Sequence, residues 1–211
     1  MPKSKTKQQS LVVNKPNPTP LDTAWKSAHD STLVEVLKVD KSFILDIRYA
    51  TTNNFMKIKV YPCDKCLLRK CAAEALKKAN DLFKKDGFMV KIYDGYRPLS
   101  VQWELWNRTS NKNYVANPRK GSNHNRGCAV DMTLTDLNGK ELDMGTPYDF
   151  FGPEAHHTYT NLPAKVLKNR QKLKSVMESV GFKHISNEWW HYDYKIKYSV
   201  LDQPLPCDKA P

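Results

Sequence analysis

Apolar residues recur at helical spacing from Leu67 to Lys85: Leu68, Ala72, Ala75, Leu76, Ala79, Leu82 and Phe83 share one face, the lysines fall mostly on the other, and Gly87 stops the run. The same periodicity predicts a second long helix over residues 164–180, ended by Gly181, and a short one in "PLSVQWELWNR" with Pro98 in its first turn. Strand-like stretches lie between them: "FILDIRYA", the extended "KIKVYP", "FMVKIYDGY", "CAVDMTL" and "FKHISNEWWHYDYKI". "TDLNGKEL" carries an Asn-Gly turn of the hairpin type, and "DMGTPYDFFGPEAHH" reads as an irregular aromatic loop. Residues 1–20 are polar and contain Pro, which predicts a flexible lead-in; one domain is expected over 21–203, followed by a Pro-containing tail over 204–211.

Composition changes this picture little. A chain of 211 residues, 40% hydrophobic, is long enough for one sizeable core. The formal charge of +12 suits an anionic partner, but the lysines are scattered over the tail and both long helices with no compact Arg-rich run, so a solvated basic surface is expected and neither nucleic acid nor membrane is a predicted partner. No stretch is apolar enough to span a membrane, and residues 1–20 lack the apolar centre of a signal peptide; a cytoplasmic protein is expected, with a periplasmic or secreted one as the alternative if a leader was removed. The five cysteines include Cys63 and Cys66 in "CDKC", with Cys71 nearby. That is half of a zinc site or a redox pair, and with no second matching pair ordinary structural or free thiols are expected.

The chemistry concentrates in "SNHNRGCAVDMTL". Read as a strand, it sends Cys128, Val130, Met132 and Leu134 to one side and Ala129, Asp131 and Thr133 to the other, so Asp131 shares a face with small and polar neighbours, as in a cleft wall. His124 precedes it in a loop that Gly127 lets turn tightly, and "NEWWHY" supplies a further imidazole at His191. Two histidines and an aspartate are donors that zinc accepts, and three protein ligands leave a position for water whose pKa bound zinc lowers towards roughly 7. Glu188 is placed to take a proton from such water, and Arg97, with the helix start behind it, to face a developing oxyanion. Each residue also has a plain reading. "H-x6-D" suits a hydrogen-bonded structural pair, "EWWH" a core aromatic pair, Arg97 a surface turn, and His29, His156, His157 and His184 would be candidate ligands too on spacing alone.

In combination and in this order, "YDGYRP", "SNHNRGCAVDMTL", "DMGTPYDF", "HH" and "EWWHY" resemble the zinc D-alanyl-D-alanine dipeptidases of the family linked to vancomycin resistance, from about "FILDIRYATTNNF" to "WWHYDY". The resemblance implies one α+β domain with a central, mainly antiparallel sheet flanked by helices and one Zn2+ in a cleft on it. It implies His124, Asp131 and His191 as zinc ligands, Glu188 as catalytic base and Arg97 as oxyanion stabiliser. Ser122, Asp149 and, less directly, Tyr96 would hold a small D-Ala-D-Ala substrate, with Asp149 pairing its free ammonium, and Tyr96, His156 and His157 would shape the pocket or contact the residues that line it. The alternatives are a D,D-carboxypeptidase or endopeptidase on cell-wall stem peptides and, in another class, a hedgehog-like module that binds zinc without catalysis. Such a module has no need of both Glu188 and Arg97.

Overall fold

The computed structural model describes residues 32–110, 112–196 and 198–207. The expected lead-in over 1–20 lies outside them. Along the chain run β1 (Leu33–Glu35), a single helical turn α1 (Val36–Val39), β2 (Ile44–Leu45), β3 (Leu67–Arg69), α2 (Lys70–Lys85), β4 (Phe88–Asp94), α3 (Leu99–Arg108), β5 (Ala129–Asp136), α4 (Ala164–Ser179), β6 (Phe182–Ile185) and β7 (Glu188–Tyr194). Five strands form the central sheet in the order β2-β4-β5-β7-β6, with β2–β4 parallel and the other pairings antiparallel, while β1 and β3 make a separate antiparallel pair. This is the α+β domain expected.

Strand alternation divides the sheet into two faces. Val90, Ile92, Val130, Met132 and Leu134 share one buried core with Leu76, Ala79 and Phe83 of α2 and Leu173 and Met177 of α4. Burying each large apolar side chain contributes roughly 1.5–3 kcal/mol. The alternate residues of β5, beginning with Asp131, face away from these helices. Asn80 joins helix and sheet edge: its side-chain oxygen accepts from Val90 N at 3.0 Å and its amide donates to Asp40 at 2.9 Å.

The structure corrects several expected elements. "FILDIRYA" pairs only at Ile44–Leu45 and then coils through a 3-10 turn, Arg48–Ala50, because Phe43, Ile47 and Tyr49 reach the core without a ladder. "KIKVYP" is not a strand; Val60 N and Tyr61 N both donate to the Tyr49 carbonyl. Leu67–Arg69 pairs with β1, so the helix starts at Lys70. "FKHISNEWWHYDYKI" is a hairpin of two strands, β6 and β7. Past residue 203, Leu205 is buried and Cys207 forms a disulfide with Cys63. "CDKC" is therefore neither half a zinc site nor a redox pair: Cys63 bonds to a distant partner, and Cys66 and Cys71 are buried free thiols.

Candidate metal centre and cleft

Register brings the candidate ligands together. Asp131 of β5 lies opposite His191 of β7 in their antiparallel pairing, which sets two side chains on one face within reach of each other. His124 arrives from the loop before β5 through a 3-10 turn, His124–Arg126, closed by Gly127 in the left-handed region at φ 68°. A Cβ on Gly127 would lie 2.7 Å from the Leu33 side chain, so glycine is required there for space as well as conformation.

The three donor atoms converge. Asp131 Oδ1 is 2.9 Å from His191 Nδ1 and 3.3 Å from His124 Nε2, and the two ring nitrogens are 3.2 Å apart. Ligands held about 2.0–2.1 Å from a tetrahedral zinc lie about 3.3 Å from one another, so the cluster fits that ion. The outer ring nitrogens agree. His124 Nδ1 lies 2.7 Å from the Gly95 carbonyl, which can only accept, so the hydrogen sits on Nδ1 and the Nε2 lone pair faces the cluster. His191 Nε2 lies 2.8 Å from Asp193 Oδ1, which in the same way leaves Nδ1 for a cation. Burial opposes charge on Asp131, yet His124 and His191 hold its carboxyl well below the usual carboxylate range. Burial also opposes charge on His191, but its hydrogen bonds to Asp131 and Asp193 raise it well above the ordinary imidazole range. Two imidazoles and a carboxylate that compete for protons in one buried spot are the donors that a divalent cation satisfies.

Around the cluster is a cleft of about 580 Å3 lined by Arg97, Ser122, Asp149 and Glu188 as well as His124, Asp131 and His191. Glu188 Oε2 stands 3.9 Å from His191 Nδ1, and burial raises its pKa above the ordinary value. Asp149 sits in the left-handed region at φ 59° and accepts from the Tyr49 hydroxyl at 3.2 Å. Burial, with the charge of Asp131, pushes Asp149 well above the usual range.

Arg97 is locked in place. Its Nε and Nη2 donate to Asp94 Oδ2 at 3.1 and 2.6 Å, and its Nη1 donates to Gln102 at 2.8 Å. These bonds use three of its five N–H groups. The helix start behind it is not available as expected, because Leu99 N donates to the Leu201 carbonyl and Ser100 N to Asp202.

Three other expected residues lie outside the cleft lining. Tyr96 is not among the residues lining the cleft, and its hydroxyl instead pairs with both the N–H and the carbonyl of Gln203. His157 packs against the His184 and Tyr192 rings and hydrogen-bonds the Glu188 backbone, and the His156 carbonyl accepts from Arg170; neither histidine is among the residues lining the cleft. Sequence reasoning passed over Asp193, Asp94 and Tyr49. Asp193 was open to detection, since it follows His191 by two on a strand and so shares its face. Asp94 lies inside the quoted "YDGYRP", but Tyr49, a hundred residues from Asp149, left no local signal.

An α+β domain with a buried His-Asp-His cluster beside a carboxylate and a fixed arginine defines a metal-centre protein. The chain belongs to the D-ala-D-ala dipeptidase family, matched over residues 29–210. It is 34% identical over 181 residues to D-alanyl-D-alanine dipeptidase of Escherichia coli (strain K12), covering 85% of this chain and 94% of that one. It is also 34% identical over 185 residues to the D-alanyl-D-alanine dipeptidase of Enterococcus faecium, covering 76% and 87%. Among solved structures, a vancomycin-resistance D,D-pentapeptidase in complex with Zn(II) overlaps it with a TM-score of 0.43 at 17% identity, covering 64% of this chain and 76% of that chain.

Proposed function

We propose that this chain is a zinc-dependent dipeptidase that hydrolyses D-Ala-D-Ala, with His124, Asp131 and His191 holding the metal. The observation that carries the reading is the convergence of these three donors beside Glu188 in a cleft that also holds Arg97 and Asp149. Bound zinc supplies Lewis acidity toward the scissile carbonyl and lowers the pKa of water. Glu188, raised by burial, accepts the proton of the attacking water and returns it to the leaving amine. Arg97, held by Asp94, donates its two remaining N–H groups to the oxyanion. Asp149 pairs with the substrate ammonium, and the Tyr49 hydroxyl orients its carboxylate. The curated relatives, named D-alanyl-D-alanine dipeptidases, support the substrate.

The Cys63–Cys207 disulfide supports an oxidising compartment, in favour of the exported alternative over the cytoplasmic one. The test of function is a panel of D-Ala-D-Ala, L-Ala-L-Ala and a stem pentapeptide, run on the wild type, a chelated sample and Glu188→Ala. D-Ala-D-Ala should be cleaved fastest, with activity lost on chelation and reduced about 10²- to 10⁴-fold in Glu188→Ala. Faster cleavage of the pentapeptide would replace the dipeptidase by a cell-wall peptidase.

A further inference from the structure

Asp131 has two oxygens to offer a cation, and the cluster converges on one of them. His191 Nδ1 and His124 Nε2 lie 2.9 and 3.3 Å from Oδ1. Oδ2 has a different partner: it accepts a buried hydrogen bond from the Tyr148 hydroxyl at 3.0 Å. A phenol is a neutral donor, so it occupies the second oxygen without cancelling the carboxylate's charge, as the Arg97 guanidinium does for Asp94. The charge of Asp131 stays available at Oδ1, where the two imidazoles meet.

Tyr148 reaches this point from the loop before α4. Asp149 follows it with a positive φ, and the two neighbours part company there: Asp149 lines the cleft, whereas Tyr148 does not line it and bonds to Asp131. The Tyr148 ring is held by packing that leaves the hydroxyl out. Its centre lies 4.8 Å from that of Tyr93 and 5.5 Å from that of Trp190, and the Arg48 guanidinium, itself paired with Asp46 at 3.0 Å, stands 6.0 Å away. A phenylalanine would fill the same space, so the hydroxyl is there for its bond to Oδ2. That bond has a consequence for a metal. A carboxylate with both oxygens free is able to chelate a divalent ion, and the second oxygen would take up the position that a hydrolytic zinc site keeps open for water or a substrate carbonyl.

Resting on the zinc reading, we infer that Tyr148 is a positioning residue whose hydroxyl holds Oδ2 and keeps Asp131 a one-oxygen donor to the metal. The test takes infrared difference spectra of zinc-loaded against zinc-free protein carrying isotope-labelled aspartate, on the wild type and Tyr148→Phe. A one-oxygen donor gives widely separated carboxylate stretches, and a chelating one gives a narrow pair. The wild type should show the wide separation and Tyr148→Phe a narrower one. In chelator competition Tyr148→Phe should hold zinc about 10- to 100-fold more weakly, and at saturating zinc it should lose kcat on D-Ala-D-Ala with KM within a few-fold of the wild type's. A narrow pair in the wild type would overturn the assignment without any variant. So would a Tyr148→Phe protein that keeps the wild type's separation and zinc affinity, even with a lowered Tm, since the residue would then serve only to pack. A wild type that takes up no zinc would instead sink the zinc reading itself.

Discussion

Asp149 shows how one residue is set against the stability of the fold. It holds a positive φ, is enclosed near Asp131, and keeps its proton to a pH well above that of a free carboxyl. For a carboxyl raised on folding, the folded state binds the proton more tightly than the unfolded chain. The stability this brings is complete below the unfolded pKa and is lost as pH rises through the folded one. Asn keeps the size and the hydrogen-bonding oxygen and tolerates the left-handed region. Asp149→Asn should therefore raise Tm at pH 7 by about 2–4 °C relative to the wild type, with the gap closing near pH 4, and weaken D-Ala-D-Ala binding. Thermal melts across pH check this, and a gap independent of pH would refute the role given to its ionisation. From sequence, Asp149 was visible only through a motif, and Tyr49, its hydrogen-bond partner, was not visible at all.

At the scale of elements, the segment 198–207 acts as a strap over the loops that carry the site. Leu201 N donates to the carbonyl of Asn125, next to His124. The Leu201 carbonyl and Asp202 receive the first N–H groups of α3, Gln203 pairs with Tyr96 next to Arg97, and Tyr198 anchors Arg126. The disulfide to Cys63 ties the strap's end to the loop after Tyr61, whose hydroxyl donates to Asp94 at 2.8 Å. Closing so long a loop contributes about 2–5 kcal/mol. Cys207→Ser should lower Tm by about 5–15 °C and weaken zinc retention in a chelator competition. Unchanged zinc retention alongside a lowered Tm would leave the strap a stabiliser without influence on the site. Read along the chain, its end from residue 204 was a Pro-containing tail, because such a stretch has no periodicity and the partner of Cys207 lies 144 residues away. The long helices were legible for the opposite reason: their apolar stripe repeats locally, and Gly87 and Gly181 both take the positive φ that ends them.

On the scale of the whole molecule, the candidate metal cluster joins three separate parts of the chain: the loop before β5, β5 itself and β7. A ligand that binds only the folded state at a thousandfold over its Kd adds about 4 kcal/mol. Chelation should lower Tm by about 10 °C, Zn2+ should restore it and Mg2+ should not. Calorimetry with and without chelator checks this, and an unmoved Tm would argue against His124, Asp131 and His191 as a metal site. Much of the chemistry could be read directly from the chain, because donor types, strand alternation and the stopping glycines are local properties of "SNHNRGCAVDMTL", "NEWWHY" and the helical stripes. Which histidines join Asp131, which tautomer each holds, that Arg97 leans on Asp94, and that Cys63 reaches Cys207 rather than Cys66 were settled by folding. Each depends on a pairing register or a packed approach between distant segments, and a distance in space leaves no mark on spacing along a chain.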